Sequence, residues 1–207
     1  MSGRQEQVGV ASFLDCAELA ALGLQGYGTD VLISRKCSVY APERLVVGSH
    51  VRIDDYCVIS CGSKGRIVMG DYVHVSTQVA LFGAGCIEIG DFCTISPKAS
   101  VFSESDDFSG DCLVGPMVPW RFRGCTTARV TISNYCAVGA SSVVLPGVTL
   151  AEGAVLGALS LAGSDLPPWG IYAGAPARRI HSRSRSLVAL AQQVRSAPSI
   201  NIWSCDE

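Results

Sequence analysis

The stretch from 132 to 150 reads ISNYCAVGASSVVLPGVTL, and its aliphatic residues are evenly spaced. The residues that recur every six positions are Ile132, Val138, Val144 and Leu150. An amphipathic helix repeats about every 3.6 residues and a strand about every two, so neither explains the spacing. A short repeat that packs only on its neighbours needs an apolar residue at a fixed interval to build a continuous core. The stretch therefore predicts a solenoid.

The same register extends through most of the chain. Its other members are Ile33, Val39, Leu45, Val47, Ile53, Ile59, Met69, Val75, Leu81, Ile89, Ile95, Val101 and Leu156. Four places after these residues the side chain is small or aliphatic, and the cysteines at this position are Cys37, Cys57, Cys93 and Cys136. A free thiol behaves there as a compact apolar group, so we expect these four cysteines in the core.

Turn residues follow many of the apolar positions, as in MGDYV at 69 to 73 and IGDFC at 89 to 93. Glycine and aspartate tolerate the tight turns needed where one short strand bends into the next. The pattern predicts bent strands and not hairpins.

These units resemble the hexapeptide-repeat acyltransferases, and among them the sugar O-acetyltransferases of the galactoside and maltose type. The resemblance covers nearly the whole chain. It implies an all-β fold, a left-handed parallel β-helix with three six-residue faces per coil. The handedness comes from the resemblance, because parallel crossovers are ordinarily right-handed.

Three segments are expected along the chain. Residues 1–30 form an N-terminal helical cap, with a helix over 12–22 that Ser12 caps and Gly23 ends. Residues 31–180 form the β-helix, interrupted at 102–128, where the register disappears. Residues 181–207 form a C-terminal helix and a loosely held tail after Pro198. Irregular segments on a rigid scaffold often carry function, which directs attention to the interruption.

Composition limits the partners. The chain has 207 residues and a formal charge of −2, one domain's worth of material without the basic excess of a nucleic-acid-binding protein. It lacks an apolar stretch of about 18 residues, as a spanning helix would need, and MSGRQEQV is unlike a signal peptide. We expect a cytoplasmic protein without a membrane span. The scattered histidines and the lack of paired C-x-x-C spacings argue against a metal site.

The most specific local signature is GASSVVLPGVTL at 139–150 followed by GALSLAGSDLPPWGIYAGAPARRI at 157–180. In the enzymes that the chain resembles, these stretches line the acetyl-CoA slot, which implies acetyl-CoA as acyl donor. Ala140 and Ala158, one coil of 18 residues apart, would border the pantetheine arm; the alternative is that they are small turn residues. Gly163-Ser164 stands where many relatives have Thr-Lys, so one cationic contact is missing.

The closing motif of the family implies four more cofactor-binding residues, namely Gly174, Ala177, Arg178 and Arg179. The two arginines would pair with phosphate at the nucleotide end of CoA through charge-assisted hydrogen bonds. Arg183 and Arg185 could add to the positive field, or they could form a solvated basic face.

The interruption carries side chains of the kind that bind sugars. The predicted substrate-binding residues are Asp106, Phe108, Trp120 and Arg121, which offer an acceptor, stacking surfaces and a donor. The alternative is a solvated acidic turn.

The catalytic base is the point where the chain departs from the galactoside-type enzymes. Those enzymes place a histidine in the interrupting loop, whereas SESDDFSG at 103–110 has none. His74, at the sixth place of the unit that begins at Met69, is predicted at an outward-pointing corner. An imidazole has an unperturbed pKa of about 6.5 and can accept a proton at neutral pH. His74 is therefore the predicted base and Asp107 its rival, while a turn-capping histidine is the structural alternative.

The leading hypothesis is an acetyl-CoA-dependent O-acetyltransferase acting on a sugar in surface polysaccharide or lipopolysaccharide biosynthesis. One alternative is an N-acetyltransferase of an aminosugar nucleotide, since an amine needs less help from a base than a hydroxyl does. Another is a non-catalytic β-helix assembly module. The resemblance also implies a homotrimer with the active sites between subunits, in line with the closed symmetry usual for oligomers.

Overall fold

The computed structural model describes residues 13–197, so the predicted cap at Ser12 and the tail after Pro198 lie outside the described residues. The first helix, α1, is Cys16–Ala21, and it begins later than the predicted 12–22. Asp15 caps it: the backbone N–H of Glu18 donates to Asp15 Oδ1 at 2.9 Å, and the N–H of Asp15 donates to the Glu18 carboxylate at 2.8 Å. This reciprocal capping box sets where the helix starts.

Three parallel sheets form the faces of a left-handed parallel β-helix, as the resemblance implied. The first face contains β1 Gly26–Tyr27, β4 Leu45–Val47, β7 Ile67–Met69, β10 Ile87–Ile89, β15 Val130–Ile132 and β18 Thr149–Leu150. The second contains β2 Val31–Ile33, β5 Val51–Ile53, β8 His74–Val75, β11 Thr94–Ile95, β16 Ala137–Val138, β19 Val155–Leu156, β21 Gly170–Ala173 and the antiparallel β22 Arg178–Ser182. The third contains β3 Ser38–Tyr40, β6 Val58–Ser60, β9 Ala80–Phe82, β12 Ser100–Phe102, β17 Val143–Val144 and β20 Leu161–Ala162.

Each coil passes from the first face to the second and then to the third, which defines three corners of the prism. The first corner joins faces one and two, the second joins faces two and three, and the third leads back to face one. The insertion leaves at the third corner after β12 and contains an antiparallel hairpin, β13 Glu104–Asp106 and β14 Cys125–Thr127. Short 3₁₀ helices occupy Pro42–Arg44 and Trp120–Phe122. Because β10 pairs directly with β15, the insertion does not interrupt the stack of coils.

The bounds of the coils, the insertion and the second helix are as follows. The coils begin at Gly26, inside the segment expected to be a cap, and run to Ala173. The insertion occupies the segment between β12, which ends at Phe102, and β15, which begins at Val130. The second helix, α2, is Ser186–Ser196. Neither helix in the described part of the chain is long and apolar enough to cross a membrane.

The six-residue register is confirmed as the core. Its members point inward and are almost fully buried, for example Ile53, Leu81 and Leu150 at 0 % exposure, while Val39 is half-buried near the N-terminal end. Of the four predicted core cysteines, Cys57, Cys93 and Cys136 are buried and Cys37 is half-buried. Burial raises the pKa of the Cys57 thiol to about 11, so it packs as a neutral apolar group.

The turns form at the predicted places, but the residues that adopt the left-handed backbone conformation are not the predicted ones. At the first corner the left-handed backbone conformation belongs to aromatic residues such as Tyr72 and Phe92, with φ of 58° and 55°, and not to the preceding glycine or aspartate. Gly70 is required by close packing instead, since a Cβ there would lie 2.2 Å from Asp91 Oδ1 in the next coil. The glycines therefore permit the approach of the coils.

An aromatic ladder runs along the first corner. Its members are His50, Tyr72, Phe92, Tyr135 and Trp169, with neighbouring ring centroids 4.5 to 6.2 Å apart. Helix α2 lies against the C-terminal part of this ladder. There Arg195 stacks on the ring of Phe92 and Arg185 stacks on the ring of Trp169, each at 5.2 Å from the ring centroid. Arg183 Nη1 donates to the carbonyls of Tyr135 and Gly153. Arg183 and Arg185, considered in the sequence as additions to a cofactor field, thus hold the helix to the corner.

Candidate functional site

The second corner provides a column of small residues along the C-terminal coils. Ala140 and Ala158 occupy equivalent positions in successive coils, with the N–H of Leu159 donating to the carbonyl of Ala140 at 2.9 Å. A Cβ at the preceding Gly139 would lie 2.4 Å from the backbone nitrogen of Ala158, so the two coils meet almost without side chains. Ala158 is exposed. The corner offers a narrow, backbone-lined surface to an extended ligand.

Two buried hydroxyls stiffen this column from inside. Ser142 Oγ donates to the carbonyl of Gly157 at 2.7 Å and accepts from the N–H of Ser160 at 3.1 Å. Ser160 Oγ donates to the carbonyl of Ala158 at 3.1 Å and accepts from the N–H of Gly174 at 3.0 Å. The sequence placed both serines only as small inward residues. Their recurrence at one repeat position is the signal that pointed to a shared structural role.

The predicted closing motif, Gly174 to Arg179, lies at the C-terminal end of the column. Gly174 has φ of +100°, a conformation that favours glycine. Arg178 and Arg179 are exposed on the strand that follows, whereas Ala177 is 8 % exposed and its N–H donates to the carbonyl of Leu161 at 2.8 Å. The two guanidinium groups are accessible to an anion, and Ala177 supports the corner from beneath.

The insertion holds the two predicted acidic residues in different ways. Asp106 Oδ1 lies 3.2 Å from Arg123 Nη2, and this ion-paired hydrogen bond holds the pKa of the Asp106 carboxyl below its ordinary value. Asp107 Oδ1 accepts from the backbone N–H of Ser109 at 2.8 Å, which lowers the pKa of Asp107. Both groups are therefore carboxylates of reduced basicity near neutral pH.

The predicted sugar-contacting side chains Phe108, Trp120 and Arg121 all lie on the insertion. Phe108 and Trp120 are 80 % and 85 % exposed, and Arg121 stacks on the ring of Phe122 at 4.8 Å. Large aromatic surfaces left open in this way mark a binding or association surface.

His74 lies in strand β8 on the second face, so the prediction that it occupies a corner was wrong. Its Nε2 is 2.7 Å from Asp54 Oδ2, while Asp54 Oδ1 accepts from Arg52 Nε at 2.6 Å. His74 is 41 % exposed and Asp54 16 %. The Asp54 carboxylate therefore orients the imidazole through Nε2.

Sequence reasoning missed Asp54 and Arg52 because nothing in the spacing pairs them with His74. Arg52 and His74 are paired neighbours on adjacent strands although 22 positions separate them, since the third corner between β6 and β7 is longer than the one between β9 and β10. Within residues 13–197 there is no group of three or more His, Cys, Asp or Glu side chains that could hold a metal ion.

The predicted site residues fall at three places on the prism. The small-residue column follows the second corner, and His74 lies on the adjoining second face. The insertion leaves at the third corner, which is opposite the second face in a three-sided coil. In one copy of the chain the base of the insertion and His74 are therefore on opposite sides.

Comparisons with known proteins give this geometry a chemical context. No family model matches the chain. It is 36 % identical over 179 residues to a dTDP-4-amino-4,6-dideoxy-D-glucose acyltransferase of Escherichia coli, covering 86 % of this chain and 93 % of that protein. It also superposes with a TM-score of 0.86, at 36 % identity, on the N-acyltransferase AntD of Bacillus cereus in complex with dTDP-4-amino-4,6-dideoxyglucose and coenzyme A, covering 90 % and 98 % of the two chains.

A more distant likeness concerns the fold alone. The hexapeptide-repeat acetyltransferase VCA0836 of Vibrio cholerae matches with a TM-score of 0.50 at 22 % identity. The family of this chain follows from its 36 % identity to a sugar acyltransferase across nearly the full length of that protein. The coil geometry and the small residues at the second corner agree with that family. The chain belongs to the hexapeptide-repeat acyltransferases, as an enzyme that takes its acyl group from a CoA thioester and acts on sugar-related substrates.

Proposed function

We propose that the chain is an N-acyltransferase that moves an acyl group from its CoA thioester to the amino group of a nucleotide-linked aminosugar. The observation that carries the proposal is the 36 % identity over 93 % of the E. coli dTDP-aminosugar acyltransferase. The N-acylation that the sequence left as an alternative thus becomes the preferred reading. O-acetylation of a neutral sugar in polysaccharide biosynthesis is the competing function, and cytoplasmic location remains a prediction.

The small-residue column accounts for the donor. A pantetheine arm is long, thin and rich in amide groups, so a corner without side chains at Ala140 and Ala158 lets it reach the backbone. The exposed Arg178 and Arg179 lie at the end where the phosphates of CoA would be. This direction puts the thioester at the end of the column nearer the N-terminal coils, close to Ser96 and Pro97. The carbonyl of Pro97 accepts from the N–H of Ser141 in the next coil.

His74 suits the role of proton acceptor better than the loop carboxylates do. A general base works best when its pKa is near the operating pH, and the pKa values of Asp106 and Asp107 are lowered away from it. In the proposed step the amine nitrogen bonds to the thioester carbonyl carbon and the C–S bond breaks. The imidazole takes a proton from the attacking nitrogen and, as the imidazolium, returns it to the departing sulfur, so that CoA leaves as the thiol. Backbone N–H groups of the corner would stabilise the oxyanion.

Asp106 and Ser96 are proposed to flank the amino group. AntD was crystallised with substitutions at an aspartate and at a serine that are ten positions apart, in complexes with coenzyme A and dTDP or the dTDP-aminosugar. Two serine–aspartate pairs in this chain have that spacing, and Ser96–Asp106 is the one that lies within residues 13–197, with Asp106 in β13 of the insertion. A carboxylate is also the natural partner of an ammonium group, which supports a binding role for Asp106.

A trimer would complete this site. Ser96 lies at the second corner and Asp106 at the third, so the two flank the third face on opposite edges. The outward side chains along that face are small or apolar, namely Ser38, Val58, Ala80, Ser100, Val143 and Leu161. If the third faces meet around a threefold axis, the insertion of one copy reaches the second corner of the next. Phe108 and Trp120 would then be covered.

The trimer can be tested with a charged residue on the third face. Val143→Arg, at the half-buried outward position of β17, should reduce the sedimenting mass from trimer to monomer, because an unpaired guanidinium cannot be buried in an apolar interface. Thr131→Arg, at the half-buried outward position of β15 on the first face, is the matched control and should remain trimeric. A wild-type chain that is monomeric and fully active at micromolar concentration would contradict the model.

The function is tested by acceptor competition. We expect CoA release from acetyl-CoA, or from a longer acyl-CoA, with dTDP-4-amino-4,6-dideoxyglucose as acceptor, and mass spectrometry should find the acyl group on nitrogen. Free galactosides and maltose serve as neutral acceptors under the same conditions. Faster turnover of a neutral sugar would return the assignment to O-acetylation. Absence of CoA binding in calorimetry would favour a non-catalytic module.

A further inference from the structure

The insertion holds a cluster of three side chains, Asp106, Arg123 and Cys125, which we call the Asp106 cluster. Arg123 Nη2 donates to Asp106 Oδ1 at 3.2 Å, and the Cys125 thiol donates to the same oxygen at 3.6 Å. Asp106 and Cys125 are paired residues of the β13–β14 hairpin, so the backbone brings them together. The side chains of Asp106 and Arg123 are 27 % and 25 % exposed, so the ion pair is largely withdrawn from solvent.

The backbone around Arg123 is constrained. Arg123 directly follows a 3₁₀ helix, and its N–H donates to the carbonyl of Trp120 at 3.1 Å. The N–H of Leu113 donates to the carbonyl of Phe122 at 2.8 Å, which ties this turn to an earlier part of the insertion. The guanidinium that meets Asp106 is therefore carried by a fixed segment of backbone.

The ion pair leaves one donor of Arg123 unsatisfied. Its Nε is the one buried side-chain nitrogen or oxygen without a hydrogen-bond partner within residues 13–197. Arginine often binds a carboxylate through two parallel N–H bonds, whereas here Nη2 alone reaches Asp106. A buried donor without a partner disfavours the folded state. A pair that served only to stabilise the hairpin gains nothing from this arrangement, so the cluster points to a role in function.

The cluster acts on one oxygen of Asp106. Both side-chain bonds end on Oδ1, and neither involves Oδ2. The hydrogen bond from Arg123 is the main reason that the pKa of the Asp106 carboxyl lies below its ordinary value. Desolvation and the bond to Asp106 raise the pKa of the Cys125 thiol, which therefore remains a neutral donor. Asp106 is thus a held anion that attracts an ammonium group but competes poorly for its proton.

Neighbouring carboxylates of the insertion are held differently. Asp107 accepts from the backbone N–H of Ser109, and Glu104 accepts from the hydroxyl of Thr127 at 3.0 Å. Among the carboxylates between 103 and 129, Asp106 is the one that has an arginine partner within residues 13–197. Only Asp106 is therefore both charged and oriented by a second charge.

We propose that Arg123 is a positioning residue, which holds the Asp106 carboxylate in one orientation beside the amino group of the acceptor. The assignment rests on the proposed function, in which Asp106 flanks that amino group, and it adds a residue that acts through Asp106. Asp106 then orients the amine, and proton transfer is left to His74.

The test removes the cation and keeps a side chain of similar length. Arg123→Gln should raise the KM for dTDP-4-amino-4,6-dideoxyglucose by about tenfold, while kcat falls by less than about threefold. The Kd of dTDP, which lacks the aminosugar, and the Kd of CoA should stay within about twofold of wild type. Arg123→Lys keeps a positive charge and should recover part of the loss. Arg129→Gln is the matched control: its guanidinium lies 3.1 Å from Glu88, and the variant should behave as wild type.

A double-mutant cycle shows whether Arg123 acts through Asp106. If it does, Asp106→Asn combined with Arg123→Gln should raise the acceptor KM no further than Asp106→Asn alone. Effects that multiply would give Arg123 an independent role and overturn the assignment. An unchanged KM in Arg123→Gln would overturn it too, as would a parallel loss of dTDP and CoA binding, which indicates a role in folding alone.

These outcomes are distinguishable from failure of the proposed function. If wild type acylates the aminosugar and the two substitutions act independently, the function stands and the positioning role fails. If wild type acylates only neutral sugars, Asp106 has no ammonium group to orient and both proposals fail.

Discussion

Replacing His74 with alanine should lower kcat for the aminosugar by about 10²-fold or more, which is the usual scale of general-base assistance. The imidazole is the group that we propose accepts the proton, and Asp54 Oδ2 lies 2.7 Å from its Nε2. CoA affinity should change little, because the column around Ala158 is at the second corner and has no part in the Asp54–His74 pair. Steady-state kinetics with saturating acceptor, together with CoA calorimetry, measures both effects.

Two further variants sharpen this result. Asp54→Asn removes the carboxylate that selects the Nε2–H tautomer, so it should also lower kcat, with Arg52 left in place. His181→Ala removes an exposed histidine after the last coil and should behave as wild type. A His74→Ala enzyme that turns over at nearly the wild-type rate would mean that the amine loses its proton without this imidazole and that His74 is structural.

Ala158→Trp should weaken CoA binding by about a hundredfold or more, equivalent to about 2.8 kcal/mol. Ala158 is exposed at the second corner between Ala140 and Gly174, so an indole there would occupy the space that we propose for the pantetheine arm. The fold should tolerate the change because the side chain points outward. Calorimetric titration with CoA gives the affinity directly.

The matching control for this variant is Ala189→Trp, which adds the same ring at an exposed position of α2. It should leave CoA affinity, acceptor KM and the unfolding midpoint close to wild type. Undiminished CoA binding by Ala158→Trp would show that the small residues at the second corner serve the turn alone, which is the alternative that the sequence left open.

The sequence alone determined the core and the order of segments. A residue such as Ile95 or Val138 must point inward because each coil packs on the coils above and below it. Burial therefore repeats once for each face and its corner, and it is visible in the sequence as a six-residue period. The same logic located the core cysteines and the insertion. The resemblance supplied the handedness and the donor slot, which no spacing could give.

Only the tertiary structure decided which polar side chains meet. Paired strands are 22 residues apart between Val47 and Met69, 20 between Met69 and Ile89, and 18 between Ile132 and Leu150, because the corners differ in length. A register that is periodic along each coil therefore does not fix which outward residues stack across coils. The Asp54–His74 pair, the cavity lined by His50 and His74, and the placement of the insertion opposite the second face all depend on that stacking. Apolar burial is a property of each position and can be read locally, whereas a polar site requires partners that corner lengths bring into contact.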